Sequence, residues 1–395
     1  MDRIASILSL VRKHEEWRGG HCLNLIPSEN ITSSQVRALL SSELAHRYTA
    51  PDRFYMGTRF IDEVESTGEK IAQRLFDAQT ADLRPLSGHI ADWIVLANFA
   101  TQRGGMMCVS ADDGGYPGIW RNGLPSRLGV KVSAFPYSKK QMNIHAEEAV
   151  EAVLARKPSL VIFGASLFLF PHPVREVAKA AREINAHIGF DGSHVMGLIA
   201  GRKFQSPLRE GASMLFGSTH KTLFGPQGGI ILADSEHGDA LKTTIYPAFV
   251  DNAHWNRIAA LTLALAEMEK FGSVYAEQVI RNAQALGKAL HDHGFPVVGA
   301  SLGYTQSHQV LLDYGGYKQG RVVAERLEKA NIIVDCGVRV GTCEVTRRGM
   351  KVAEMMQVAE FIKRVIIDRD PPAEVKSAVK NLAQGFQEVE YSFPS

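Results

Sequence analysis

The sequence predicts an α/β protein: a large domain built on a mostly parallel sheet covered by helices, followed by a smaller C-terminal α+β domain. Three observations carry this reading. Between residues 81 and 234, short apolar runs (MMCVS, VKVSAFP, LVIFGA, HIGFDG, GGIILAD) are separated by helical patterns such as AEEAVEAVLARK and VREVAKAAREINA. That alternation is the signature of strands buried on both faces by crossover helices. The chain has 395 residues, more than the roughly 250 to 300 at which a single core stops growing. The stretch 256–272, NRIAALTLALAEMEKFG, is apolar nearly all round, so it is expected to be a buried helix where two bodies join. The expected division is a helical arm 1–20, a large domain 21–255, connecting helices 256–290 and a small domain 291–395.

The elements follow in chain order. MDRIASILSLVRKHEEW mixes charged and apolar residues at helical spacing without the apolar core or cleavage site of a signal peptide, and predicts a folded amphipathic helix. ADLRPL reads as a strand and HIADWIVLANFA as the helix after it; beyond residue 300, HQVLLDY and NIIVD read as strands, and GRVVAERLEKA and KVAEMMQVAEFIKRVI as helices. With 44 Lys and Arg against 42 Asp and Glu, there is no basic stripe for nucleic acid or an anionic membrane, and a small-molecule partner is expected. The apolar runs fall short of the roughly 20 residues that span a bilayer. Cys22, Cys108, Cys336 and Cys343 are scattered without a CxxC pair. Neither a disulfide framework nor a cysteine metal site is expected, and the reducing cytoplasm is the expected location.

The polar, glycine-rich segment 217–229, GSTHKTLFGPQGG, interrupts two apolar runs and contains one lysine, Lys221. A lysine between buried strands can be desolvated enough to lose its proton and attack a carbonyl, although in isolation such a segment is more often a surface turn. Thirty positions upstream, Asp191 of FDGSHV ends an apolar run, the place where α/β proteins present ligand-binding groups. A Schiff-base lysine and an acid that keeps a pyridinium nitrogen protonated are the two devices pyridoxal 5'-phosphate (PLP) requires. Its phosphate needs a third, and Ser87-Gly88-His89 opens the helical pattern after ADLRPL, offering free backbone N–H groups to an anion.

These residues also carry a resemblance. The chain resembles the serine hydroxymethyltransferases, fold-type-I PLP enzymes with the aspartate aminotransferase-like architecture. NLIPSEN (24–30) is similar to the family's N-terminal substrate motif, RFYMGTRFIDEVE (53–65) to its tyrosine-rich loop, FDGSHVMG to its pyridinium-acid motif, STHKTLFGPQGG to its Schiff-base loop and CGVRVGTCEVTRRGM (336–350) to its carboxylate-arginine segment. The resemblance implies that Lys221 carries PLP and Asp191 partners its ring nitrogen, with His194 and Ser166 near the phenolic oxygen. Ser218 and His220 are implied contacts of the cofactor. Arg339 would clamp the substrate α-carboxylate by two parallel hydrogen bonds, a geometry lysine cannot copy. Ser28 and Glu29 would belong to the substrate site. Tyr116 stands where the family stacks a histidine on the ring; tyrosine can stack but lacks the imidazole's proton chemistry. Tyr48 and Tyr55 match two active-site tyrosines. In a homodimer with shared sites, Tyr55 and Asn252 would serve the neighbouring subunit.

The departures bear on the reaction. Ala50 stands where the family has the glutamate that handles protons during folate chemistry, and alanine can do no acid–base work. Glu29 and Asp52 are candidate substitutes. An insertion that contacts the pterin, expected before Gly337, is reduced to Asp335 and Cys336; the glycine-rich turn FPGxQGG reads YPAFVDN (246–252); and an arginine of the Schiff-base loop is Gln227. The first expectation is therefore a folate-independent aldolase or transaldolase acting on the Cα–Cβ bond of a β-hydroxy amino acid. The alternatives are a hydroxymethyltransferase with a rebuilt folate site, another PLP reaction (transamination, racemisation, oxidative decarboxylation), or a chain that only binds PLP.

Overall fold

A computed structural model describes residues 3–48, 50 and 54–394. The chain forms two compact units, Met1–Asn30 with Gln278–Tyr391, and Ile31–Glu277 with Ser392–Ser395. The helix Trp255–Asp292, 38 residues long, carries the chain from one unit into the other.

The larger unit contains a seven-stranded sheet: β1 (Thr80–Asp82), β2 (Met106–Cys108), β3 (Val132–Ala134), β4 (Leu160–Phe163), β5 (His187–Asp191), β6 (Met214–Ser218) and β7 (Gly229–Ala233). The spatial order is β1-β7-β6-β5-β4-β2-β3. The run from β3 through β2, β4 and β5 to β6 is parallel, while β7 pairs antiparallel with both β6 and β1. Every residue of β4, β6 and β7 is buried. This is why those strands read as continuous apolar runs rather than alternating ones. Helices Ala146–Arg156 and Val174–Glu183 flank β4, the latter burying Val174, Val177, Ala178, Ala180 and Ala181.

In the smaller unit, Leu23–Asn24 pairs in parallel with Ile332–Ile333, and Gln309–Leu311 pairs antiparallel with Arg339–Gly341. Leu290, Val310, Leu327, Ile332, Val340, Met355, Val358 and Ile362 form one core, each full burial contributing about 1.5–3 kcal/mol. The N-terminal helix Arg3–Gly20 forms, but it buries none of its residues. Its apolar residues Ile4, Ile7, Leu8, Leu10 and Val11 are exposed. Its C-terminal end is fastened by Trp17 Nε1 donating to Asn331 Oδ1 at 3.0 Å.

Candidate active site

Strand β5 delivers Asp191 to the C-terminal edge of the sheet, where the residue is only 7% exposed. Its Oδ1 accepts the Ser193 backbone N–H at 2.9 Å. The FGAS turn can approach this strand only because residue 164 is glycine: its φ is +107°, and a Cβ there would stand 2.1 Å from the Asp191 carbonyl oxygen. Ser193 Oγ in turn accepts the Ser218 N–H at 3.0 Å, tying the aspartate motif to the start of the lysine loop.

That loop is held from within. Thr219 Oγ1 donates to Pro226 O at 2.7 Å, and the Gly225 N–H reaches Thr219 O at 2.8 Å. Thr222 Oγ1 accepts the Gly197 N–H at 2.9 Å. Thr219 and Thr222 are fully buried, so the backbone on either side of Lys221 sits in a fixed, dry environment. Burial, aided by the Lys221 charge, pushes His220 down to about 4. Its ring is therefore neutral at neutral pH.

Ser87 caps the helix Gly88–Phe99, its Oγ accepting the Ile90 N–H at 3.1 Å. The helix begins directly on the end of β6: a Cβ on Gly88 would lie 2.7 Å from the Ser218 nitrogen. The open N-terminus and the Ser218 residue thus share one corner, and the Ser218 hydroxyl and the His220 Nδ1 are both buried without a hydrogen-bond partner in the protein. Buried polar groups are normally satisfied. Orphaned polar groups at a helix N-terminus fit an anion such as a cofactor phosphate. Tyr116 closes another side; its hydroxyl and His89 Nδ1 are 3.0 Å apart. Burial and the nearby Asp92 and Asp191 carboxyls push the phenol up to about 12, so it stays protonated. His194 is buried and Ser166 half-buried, on the turns after β5 and β4.

The remaining expected residues of this unit lie on looser segments. Tyr48 donates its hydroxyl to Asp251 and meets Tyr55 edge-on at 5.0 Å, both rings being exposed. Asn252 accepts the His254 N–H at 3.4 Å. Ala50 lines a cavity of about 470 Å³ together with Glu65, Glu69, Asp82, Arg84 and Asp251. Asp52 lies outside the described residues. In the smaller unit, Leu25 O accepts the Gly341 N–H at 2.7 Å, which lays the Ser28 and Glu29 segment against the Arg339 strand. Glu29 pairs with Arg18 at 2.5 Å, and Arg339 Nε pairs with Asp335 Oδ2 at 2.7 Å. Residues 335–338 make a closed turn, Asp335 Oδ1 accepting the N–H groups of Gly337 and Arg339 at 2.9 and 3.2 Å.

The serine hydroxymethyltransferase family model matches residues 2–362. The chain is 42% identical to the serine hydroxymethyltransferase of Methanocaldococcus jannaschii over 97% of its own length and 94% of the relative's, and 39% identical to that of Pyrococcus furiosus over 98% and 96%. The chain belongs to the serine hydroxymethyltransferase family. Among solved structures, it matches an L-threonine transaldolase from Pseudomonas fluorescens in the internal aldimine state, with a TM-score of 0.92, 28% identity, and coverage of 99% of this chain and 94% of that one. Its fold is that of the fold-type-I PLP enzymes, and it is a PLP-dependent enzyme of the hydroxymethyltransferase and aldolase type.

Within this family member, three buried or perturbed groups escaped the sequence reading. Asp92, on the Gly88–Phe99 helix, is 1% exposed. Arg257 is also buried; its Nη2 donates to Leu83 O at 2.7 Å and Ala253 O at 3.0 Å, and a Cβ on Gly228 would stand 2.8 Å from its Nη1. It therefore braces both the approach to Ser87 and the GPQGG turn. Glu65 is raised to about 7 by burial and by Glu69 and Asp82. A lone acid at helical spacing in HIADWIVLANFA was the only available signal for Asp92. Nothing local marks Arg257, whose partners Leu83 and Arg84 come from a distant segment; for Glu65 the local sign is Glu69 four residues on, while Asp82 comes from β1.

Proposed function

We propose that this protein makes or breaks the Cα–Cβ bond of a β-hydroxy amino acid without folate, as an aldolase or transaldolase. The observation that carries the reading is the closed turn 335–338, whose Asx-type hydrogen bonds fill the place where the family's resemblance calls for a pterin-contacting insertion. Ala50 supports it, since the cavity wall has a methyl group where the family has a proton-handling carboxylate.

In this proposal the Ser87-Gly88-His89 helix start, Ser218 and His220 hold the cofactor phosphate, and Tyr116 and His194 flank the ring. Bound PLP supplies an electron sink for the pair released at Cα. Lys221 holds the cofactor through its amine, on a loop pinned by the buried Thr219 and Thr222. Asp191, held by Ser193, is aligned for the ring nitrogen. Arg339 exchanges its Asp335 partner for the substrate α-carboxylate, fixing the orientation of the bond to be cleaved. Tyr48 is the phenol that would hydrogen-bond the substrate β-hydroxyl. The proposal includes a homodimer in which Tyr55 and Asn252 serve the neighbouring subunit, and a cytoplasmic location. Among the described residues, no helix is long and apolar enough to cross a membrane.

The threonine transaldolase likeness makes L-threonine the first substrate to test. PLP-loaded protein should release acetaldehyde from it at the same rate with and without tetrahydrofolate. No aldehyde from threonine, with serine cleaved only when folate is added, would contradict the reading. That outcome is a second reading in its own right, favoured by the 42% identity to proteins named serine hydroxymethyltransferase.

A further inference from the structure

Asp92 is the most enclosed acid near the cofactor residues, and the proposed chemistry gives it no task. It lies four residues after Gly88, so the two share a helix face, and Gly88 is the residue that rests on Ser218. Its Oδ1 is buried and has no hydrogen-bond partner in the protein. The charged groups that act on it are Asp191 and Lys221, and its own charge would be felt by Tyr116 and Cys108. It therefore lies close to residues of β5, the lysine loop and the Tyr116 turn.

Two carboxyl groups in one dry pocket do not both ionise; the proton stays on the one whose charged form is less supported. Asp191 has a backbone N–H on Oδ1. Asp92 has no donor on its Oδ1, and burial followed by the Asp191 charge holds its proton on. A neutral carboxylic acid is a hydrogen-bond donor. Leaving such a donor unsatisfied in a protein interior is costly, so a buried acid of this kind is explained by an acceptor that arrives.

We propose that Asp92 is a further cofactor-binding residue, an uncharged carboxylic acid whose O–H donates a hydrogen bond when PLP enters the pocket shared with Asp191, Lys221 and Tyr116. The inference rests on the reading that PLP is held by Lys221. It accounts for an acid in an otherwise apolar helix segment, where packing alone would call for leucine or methionine. It also leaves Asp191 as the carboxylate available to the ring nitrogen.

The test uses the full-length protein with and without PLP. At neutral pH, the infrared difference spectrum between wild-type apoprotein and Asp92→Asn should contain a carboxylic acid carbonyl band that Asp191→Asn leaves in place. Adding PLP should move that band to lower wavenumber as the O–H engages its acceptor. Asp92→Asn keeps a donor and should bind PLP within about twofold of wild type, whereas Asp92→Leu, of similar size without a donor, should bind about tenfold more weakly. The Leu apoprotein should melt no lower than wild type, since an unsatisfied polar group has been replaced by an apolar one. Absence of the band, a band that PLP does not move, or wild-type affinity in Asp92→Leu overturns the proposal. If the Leu variant does not fold, the infrared band and the Asn variant decide. Borohydride fixation of PLP on Lys221 in wild type checks the underlying reading separately: its failure contradicts that reading, whereas its success with an unmoved band contradicts the role of Asp92 alone.

Discussion

The segments around Lys221 and around Tyr48 belong to the same unit and are built in opposite ways. Thr219, Thr222 and Ser218 are buried and cross-linked to Ser193, Gly197 and Pro226 by hydrogen bonds of 2.7 to 3.0 Å. By contrast, Tyr48, Phe54, Tyr55, Met56 and Phe60 are exposed. The first region rests on strand ends and a helix start, where a displacement would disturb the sheet. The second hangs on loops, which tolerate change and often carry what distinguishes one enzyme from its relatives. The residues proposed for the cofactor are thus tied to the core, while the departures from the family at Ala50 and at the 335–338 turn fall on connecting segments.

The comparison breaks most visibly at Lys221. Lys221→Ala should leave a folded protein with no borohydride-fixed cofactor and no measurable turnover, read by mass spectrometry of the reduced protein; a fixed adduct on another lysine would move the centre of the cradle elsewhere. Asp191→Asn should retain the cofactor but slow turnover by about ten- to a hundredfold, the equivalent of one charge-assisted hydrogen bond worth about 1.5–3 kcal/mol. Near-normal kcat in that variant would show that the ring nitrogen has another partner.

A smaller effect sharpens the contrast from the side of the looser region. Burial, with Glu69 and Asp82 nearby, pushes the Glu65 carboxyl up to about 7 from its ordinary 4.5. Below the lower value both states are protonated and the group is neutral to stability. Between the two, the unfolded chain releases the proton that the fold retains, so stability falls as pH rises and the loss is complete above about 7. Glu65→Gln should therefore leave thermal stability unchanged at pH about 4 and raise it by about 3 kcal/mol at pH about 8. Equal melting temperatures for variant and wild type at both pH values would show that Glu65 is solvated rather than confined by Glu69 and Asp82.

Much of the proposed cradle is legible in sequence because its residues announce their environment. LVIF and GIILA read as strands since burial on both faces removes alternation, and Lys221 and Asp191 stood out as polar groups ending apolar runs. The reversal of β7 was not legible, because a fully buried strand carries no mark of its direction. The Arg3–Gly20 helix was predicted from its spacing, but its partners were not, and its apolar residues stay exposed in the single chain. Asp92 was hidden because helical periodicity assigns a lone acid to the solvent face; here that position faces inward, and Trp93 is the more exposed residue of the pair. The raised pKa of Glu65 comes first from burial, then from Glu69 and from Asp82, which arrives from β1 through tertiary folding.

The central claim, that the cofactor apparatus is kept while folate has lost its place, is tested most directly by calorimetric titration of the PLP-loaded, glycine-saturated protein with tetrahydrofolate. With alanine at position 50 and a closed turn at 335–338, no saturable heat is expected up to the solubility limit of the folate. Saturable binding in the micromolar range, accompanied by a new visible absorption band of the glycine complex, would contradict the account and restore folate-dependent serine–glycine interconversion.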